Sequence, residues 1–114
     1  MVLPRKSRLS SSSEIKKVFK DGRGLNLELF QVKFLPKSAG PSRFAIIVSQ
    51  KVSKKASVRN RIRRKLSETI RLNISKFKPG LLIVIVAKPR MANKELSGLE
   101  RELVNNLTKI GRLK

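Results

Sequence analysis

Seven consecutive apolar residues, Leu81-Leu82-Ile83-Val84-Ile85-Val86-Ala87, stand between Pro79 and Pro89. The run is short for a helix and rich in β-branched side chains, so it predicts a central strand covered on both faces. The rest of the chain must supply that cover, and three segments have a helical period. Ser11-x-x-Glu14 matches a capping box, and Ile15, Val18 and Phe19 follow at i, i+3, i+4 spacing, which predicts a helix over residues 12–20. Asp21-Gly22 and Gly24 are expected to end it, with glycine in the left-handed position. Val58, Ile62, Leu66, Ile70 and Ile74 recur every four residues, predicting a second helix from Ser57 as its cap to about Ser75, terminated by Phe77-Lys78-Pro79-Gly80. Leu96, Leu99, Leu103, Leu107 and Ile110 predict a third, ending at Gly111.

Between the first two helices the period is two. Phe30, Val32 and Phe34 share one face and Gln31 and Lys33 the other, the mark of a half-buried strand over residues 27–35. A turn-rich connection leads to a second strand, Phe44 to Ser49, expected antiparallel to the first because the link is too short for a crossover. The order is helix, two strands with room for a third, helix, strand, helix. This is the α+β class, built as a two-layer α/β sandwich in a single domain over residues 1–114, with residues 1–8 as a flexible basic arm.

A chain of 114 residues, 39% of them hydrophobic, should bury roughly 65% of its unfolded surface and so needs no staple. Cysteine and histidine are both absent, which removes disulfides, thiolate zinc sites, thiol nucleophiles and the commonest general base. The seven-residue run is far below the roughly 18 residues of a membrane span, and the N-terminus has no apolar signal region, so a soluble cytoplasmic protein is expected, with no membrane partner.

With 28 Lys and Arg against 7 Asp and Glu, the net charge is +21 and the pI about 11.7. That is the electrostatic footprint of a nucleic-acid binder. Residues 51–65 hold eight cations, Lys51, Lys54, Lys55, Arg59, Arg61, Arg63, Arg64 and Lys65, and no acid. Arg59 and Arg61 fall in the first turn of the second helix, where the dipole disfavours a cation by about 0.3–1 kcal/mol. Arg59 with Arg63, and Arg61 with Lys65, are like charges at i, i+4, costing about 0.2–0.5 kcal/mol each. A run of charge is usually a solvated face. Here the arginine bias and the unfavourable position favour a prepared phosphate site, with Asn60 as a neutral donor and acceptor.

The segment Ala56-Ser57-Val58-Arg59-Asn60-Arg61-Ile62-Arg63-Arg64 resembles the A-x-x-R-N-R-φ-[KR]-R signature of the bacterial ribonuclease P protein component family. Arg8-Leu9, Lys17-Val18-Phe19-Lys20, Val48-Ser49-x-Lys51 and Ala87-Lys88-Pro89 extend the resemblance over most of the chain. It implies a small mixed sheet with a left-handed crossover around the Arg-rich helix. It also implies the protein subunit of a ribozyme that removes the 5′ leader of precursor tRNA. On that resemblance Arg59, Asn60, Arg61, Arg63 and Arg64 face the catalytic RNA, with Lys51, Lys54, Lys55 and Lys65 beside them. A cleft between the sheet, the first helix and the Arg-rich helix takes the leader, with Ile15, Phe19, Gln31, Lys33 and Ser49 as its candidate residues. Phe19 can equally be read as a core partner of Ile15. Four departures matter: Ile15 stands where the family often has Phe, Lys33 stands where a strand aromatic is common, the segment from Ser49 to Arg59 is one residue longer than usual, and Ser67 replaces a basic residue one helical turn after the signature. The first two shift the cleft from base stacking toward electrostatics.

No protein catalytic residue or metal ligand is expected: outside the last predicted helix only Glu14, Asp21, Glu28 and Glu68 are acidic, and no two form a close helical pair. The RNA, with its Mg²⁺, is expected to supply the chemistry, and no obligatory protein partner is implied. Two other readings remain open on the residues alone, a structural ribosomal or other general RNA-binding protein and a self-sufficient nuclease.

Overall fold

The computed structural model describes residues 8–9, 11–27, 29–36, 42–73, 80–93 and 101–106. Four strands, β1 (Arg23–Asn26), β2 (Phe30–Pro36), β3 (Arg43–Ile47) and β4 (Leu81–Ala87), form one sheet in the order β1-β2-β4-β3. β1 pairs with β2, and β2 with β4, antiparallel; β3 and β4 are parallel. The apolar run is thus an interior strand with six of its seven residues buried. β2 and β3 run in opposite directions as expected but are not neighbours, because β4 lies between them. A strand apolar on both faces belongs inside the sheet, and the helix joining β3 to β4 provides the crossover a parallel pair requires.

The expected 27–35 strand is β2, starting at Phe30, and a further strand, β1, precedes it. β1 is the additional strand for which the order left room, and its sequence, Arg-Gly-Leu-Asn, has little strand signal. Its register on β2 rather than its propensity defines it, with Leu25 opposite Val32 and Asn26 opposite Gln31.

Alternation divides the sheet's two faces. Phe30, Val32, Phe34, Phe44, Ile83 and Ile85 point into the main core, where helix α2 (Ala56–Leu72) contributes Ile62, Leu66 and Ile70. Residues 101–106 are helical and add Leu103, the one described part of the predicted third helix; Ile74, Leu96, Leu99, Leu107 and Ile110 lie outside the described residues. Helix α1 (Ser12–Asp21) packs on the other face, burying Val18 against Leu82 and Val84 with Leu9 and Ala45. Of the expected N-terminal arm, residues 1–7 lie outside the described residues, and Arg8 bridges to Phe44 on the outer edge of β3.

Local signals explain most boundaries. Ser11 caps α1 by accepting from the Glu14 amide. Gly22 follows α1 in an extended conformation (φ −81°, ψ 163°), not the left-handed one expected. It is required for another reason: a Cβ there would run into the Val18 carbonyl oxygen and lie 2.6 Å from that of Phe34, where the end of α1 crosses β2. α2 starts one residue before Ser57, at Ala56, with Lys55 in the capping position and no side-chain cap. Ser42 Oγ accepts from the Leu81 amide at 3.0 Å, joining the starts of β3 and β4.

Candidate nucleic-acid interface

α2 presents two unlike sides. Its buried stripe fixes the rotation of the helix on the sheet, and this leaves Asn60, Arg61, Arg63 and Arg64 exposed, with Arg59 and Lys65 half-buried. Arg63 Nη1 donates to Asn60 Oδ1 at 3.0 Å, so the asparagine of the signature orients one of its arginines. Arg61 and Arg64 have no side-chain hydrogen-bond or ion-pair partner among the described residues. The missing side-chain cap and the absence of an acid in the first turn leave the positive end of the dipole uncompensated. Guanidinium forks, free helix amides and dipole all favour an anion with several oxygen acceptors, and phosphate is such a group.

The loop before α2 adds cations to the same end. Lys51, Lys54 and Lys55 are exposed. Arg59 is placed differently, with Nη1 donating to the Ser53 carbonyl oxygen at 2.9 Å.

On the α1 face, strand register lines up a row across the sheet: Ile47 on β3, Val86 on β4, Gln31 on β2 and Asn26 on β1. The first three are half-buried and Asn26 is exposed, whereas the next row, toward Val84, is covered by α1. The open row forms a floor that grades from apolar to amide, with Ile15 half-buried on α1 and Phe19 beside it on the helix. Phe19 is 40% exposed, so it is not a core partner of Ile15; Val18, fully buried, fills that role. Lys33 lies one row in from Gln31, half-buried, and its stem leans over β1: a methyl group built on Gly24 would meet Lys33 Cε at 3.6 Å and Cδ at 3.7 Å. Its ammonium has no partner among the described residues.

The structure therefore brings Ile15, Phe19, Gln31 and Lys33 to one face. The arrangement differs from a cleft walled by both helices: α1 and α2 pack on opposite faces, because α2's apolar stripe engages the side chains that alternate away from α1. Ser49 lies in the loop after β3, where its hydroxyl accepts from the Lys51 amide at 3.3 Å, a turn-forming role that the sequence did not suggest. That loop starts beside Ile47 and ends at α2, so the open row and the Arg-rich helix start share one end of the sheet. Ile47, Val86 and Asn26 were missed, since membership of the floor follows from register across four strands and leaves no local signal.

Among the described residues no three acidic, cysteine or histidine side chains stand together as a metal would need, and no helix is long and apolar enough to cross a membrane. A family model described as Ribonuclease P matches residues 3–111. The ribonuclease P protein component of Xylella fastidiosa is 37% identical over 112 residues, covering 96% of this chain and 80% of that one. That of a Picosynechococcus species is 32% identical over 103 residues, covering 90% and 89%. The solved RNase P protein from Thermotoga maritima superposes with a TM-score of 0.82 at 27% identity, covering 90% of this chain and 96% of that one.

Proposed function

This chain belongs to the ribonuclease P protein family, and from that premise we propose how its surfaces divide the work of leader removal. It is the protein subunit of ribonuclease P, acts in tRNA processing, and partners the ribonuclease P RNA. The start of α2, with Arg61, Arg63 and Arg64 and the neighbouring Lys51, Lys54, Lys55 and Lys65, docks on that RNA. The α1 face takes the single-stranded 5′ leader of precursor tRNA along the open row beside Phe19, with Gln31 and Lys33 facing it. The observation that supports the first assignment best is the pair Arg61 and Arg64, exposed and without a counter-ion among the described residues, in the N-terminal half of a helix that has no side-chain cap.

The protein's share is binding. Its cations screen repulsion between two RNAs, and its floor lengthens the substrate site beyond the tRNA body. We assign the metal that assists phosphodiester hydrolysis, and the chemistry with it, to the RNA, whose phosphates are ready ligands for Mg²⁺. We assign the work to the cytoplasm, a reading that the bacterial relatives support.

Reconstitution with the cognate RNA tests both surfaces. Arg61→Ala should weaken holoenzyme assembly roughly tenfold, the worth of one charge-assisted contact. Lys33→Tyr should change affinity for leader-bearing tRNA and leave mature tRNA unaffected. Equal effects of the two changes on precursor and mature tRNA would remove the leader assignment. Purified protein free of RNA should leave precursor tRNA intact; cleavage by it would move the chemistry to the protein.

A further inference from the structure

Arg59 is the first arginine of the signature, yet its surroundings set it apart. It is half-buried where Arg61, Arg63 and Arg64 are exposed, and its guanidinium is bonded to backbone. The acceptor, the Ser53 carbonyl, belongs to the loop that carries Lys51, Lys54 and Lys55. That loop is a series of short-range bonds. The Lys51 amide donates to Ser49 Oγ at 3.3 Å, the Val52 amide to the Ser49 carbonyl at 3.0 Å, and the Lys55 amide to Ser53 Oγ at 3.2 Å. Val52 is buried in the main core and anchors one end. From there to α2, the Arg59 bond is the described side-chain contact that reaches back from the helix to the loop.

Three lysines within five residues repel one another, and they also repel the arginines of the next turn. Without a tie the loop would spread to separate them. A guanidinium suits the tie because its planar fork keeps hydrogen-bonding geometry when half-buried, while its stem packs against apolar surface.

We propose that Arg59 is a positioning residue for RNA docking: by holding the Ser53 carbonyl it fixes the loop against the first turn of α2 and aims Lys51, Lys54 and Lys55 at the polyanion that Arg61 and Arg64 meet. This rests on the assignment of the α2 start to the ribonuclease P RNA. It divides the signature, making Arg61 and Arg64 phosphate ligands and Arg59 the residue that keeps their neighbours in place.

A mutant cycle separates positioning from direct contact. Arg59→Gln is made in the full chain and in a variant with Lys51, Lys54 and Lys55 all changed to Gln. Affinity for the ribonuclease P RNA is measured across salt concentrations, and thermal unfolding of each free protein checks its fold. In the otherwise unchanged chain, Arg59→Gln should lower the salt slope by about 2, more than the roughly 0.9 expected of one phosphate contact. In the background without the three loop lysines it should change the slope by under about 0.3, because none of them remains to be aimed. A drop of about 0.9 in both backgrounds makes Arg59 a phosphate ligand and overturns the proposal, as does no change in either. If Arg59→Gln fails to fold, Ser53→Gly keeps Arg59 and loosens the loop, and should reproduce the loss in smaller measure; an unchanged slope then overturns it. Should the triple-lysine variant and Arg61→Gln both leave the slope unchanged, the RNA-docking assignment itself fails.

Discussion

At the scale of single residues, what each side chain can do is decided by its neighbours. Lys33 shows this best: the alternation of β2 puts it on the α1 face, and Gly24 across the strand pair leaves a lane for its stem. The Lys33 ammonium, with no partner among the described residues, is a phosphate contact in waiting, so Lys33→Met, which keeps the stem and removes the charge, should lower the salt slope of precursor binding by about 0.7, the value for one single-strand contact. Mature tRNA, lacking the leader, should show no change. Comparing the two substrates across salt checks this, and an equal change in both contradicts it. Gly22 makes the opposite point, since its importance lies in the absence of a side chain. Gly22→Ala forces the end of α1 away from β2 and should lower stability by about 1–3 kcal/mol, the cost of overpacking, as read by denaturant unfolding.

At the scale of elements, periodicity was the readable quantity. The four-residue stripe of α2, the alternation in β2 and the apolar run of β4 each survive into the structure because burial enforces them. What failed was what burial does not enforce. β1 exists by register on its neighbour, the cap of α2 is two residues from the expected capping side chain of Ser57, and the placement of β4 between β2 and β3 is a matter of topology. The same reasoning applies to the site. Arg59 and Arg61 were legible because a cation at a helix start is locally unfavourable, whereas the Ile47–Val86–Gln31–Asn26 row needed four strands in register. α2 carries the junction between core and docking surface. Ile62→Ala deletes a fully buried side chain at its centre and should cost about 2–5 kcal/mol of stability. RNA affinity, measured below the melting temperature, should fall far less than for Arg61→Ala, because the exposed side is untouched.

At the scale of the whole molecule, a chain with net charge +21 folds against its own repulsion. A bound polyanion relieves that repulsion, so short single-stranded RNA should raise the melting temperature, and rising salt should erase the difference. The sheet separates two tasks: α2 is seated on one face, α1 with its open floor on the other, and the loop from Ile47 to Ala56 brings the ends of both to one side. Such a layout suits a protein that holds one RNA while guiding another. Its central requirement is that the exposed arginines of α2 meet phosphates in the assembled particle. The direct test is the salt dependence of assembly with the ribonuclease P RNA. Seven to ten phosphate contacts predict a loss of affinity of roughly 10³–10⁵ between 50 and 200 mM salt, with Arg61→Gln and Arg64→Gln each flattening the slope by about 0.9. A slope near zero, or one that neither substitution alters, would contradict docking through α2.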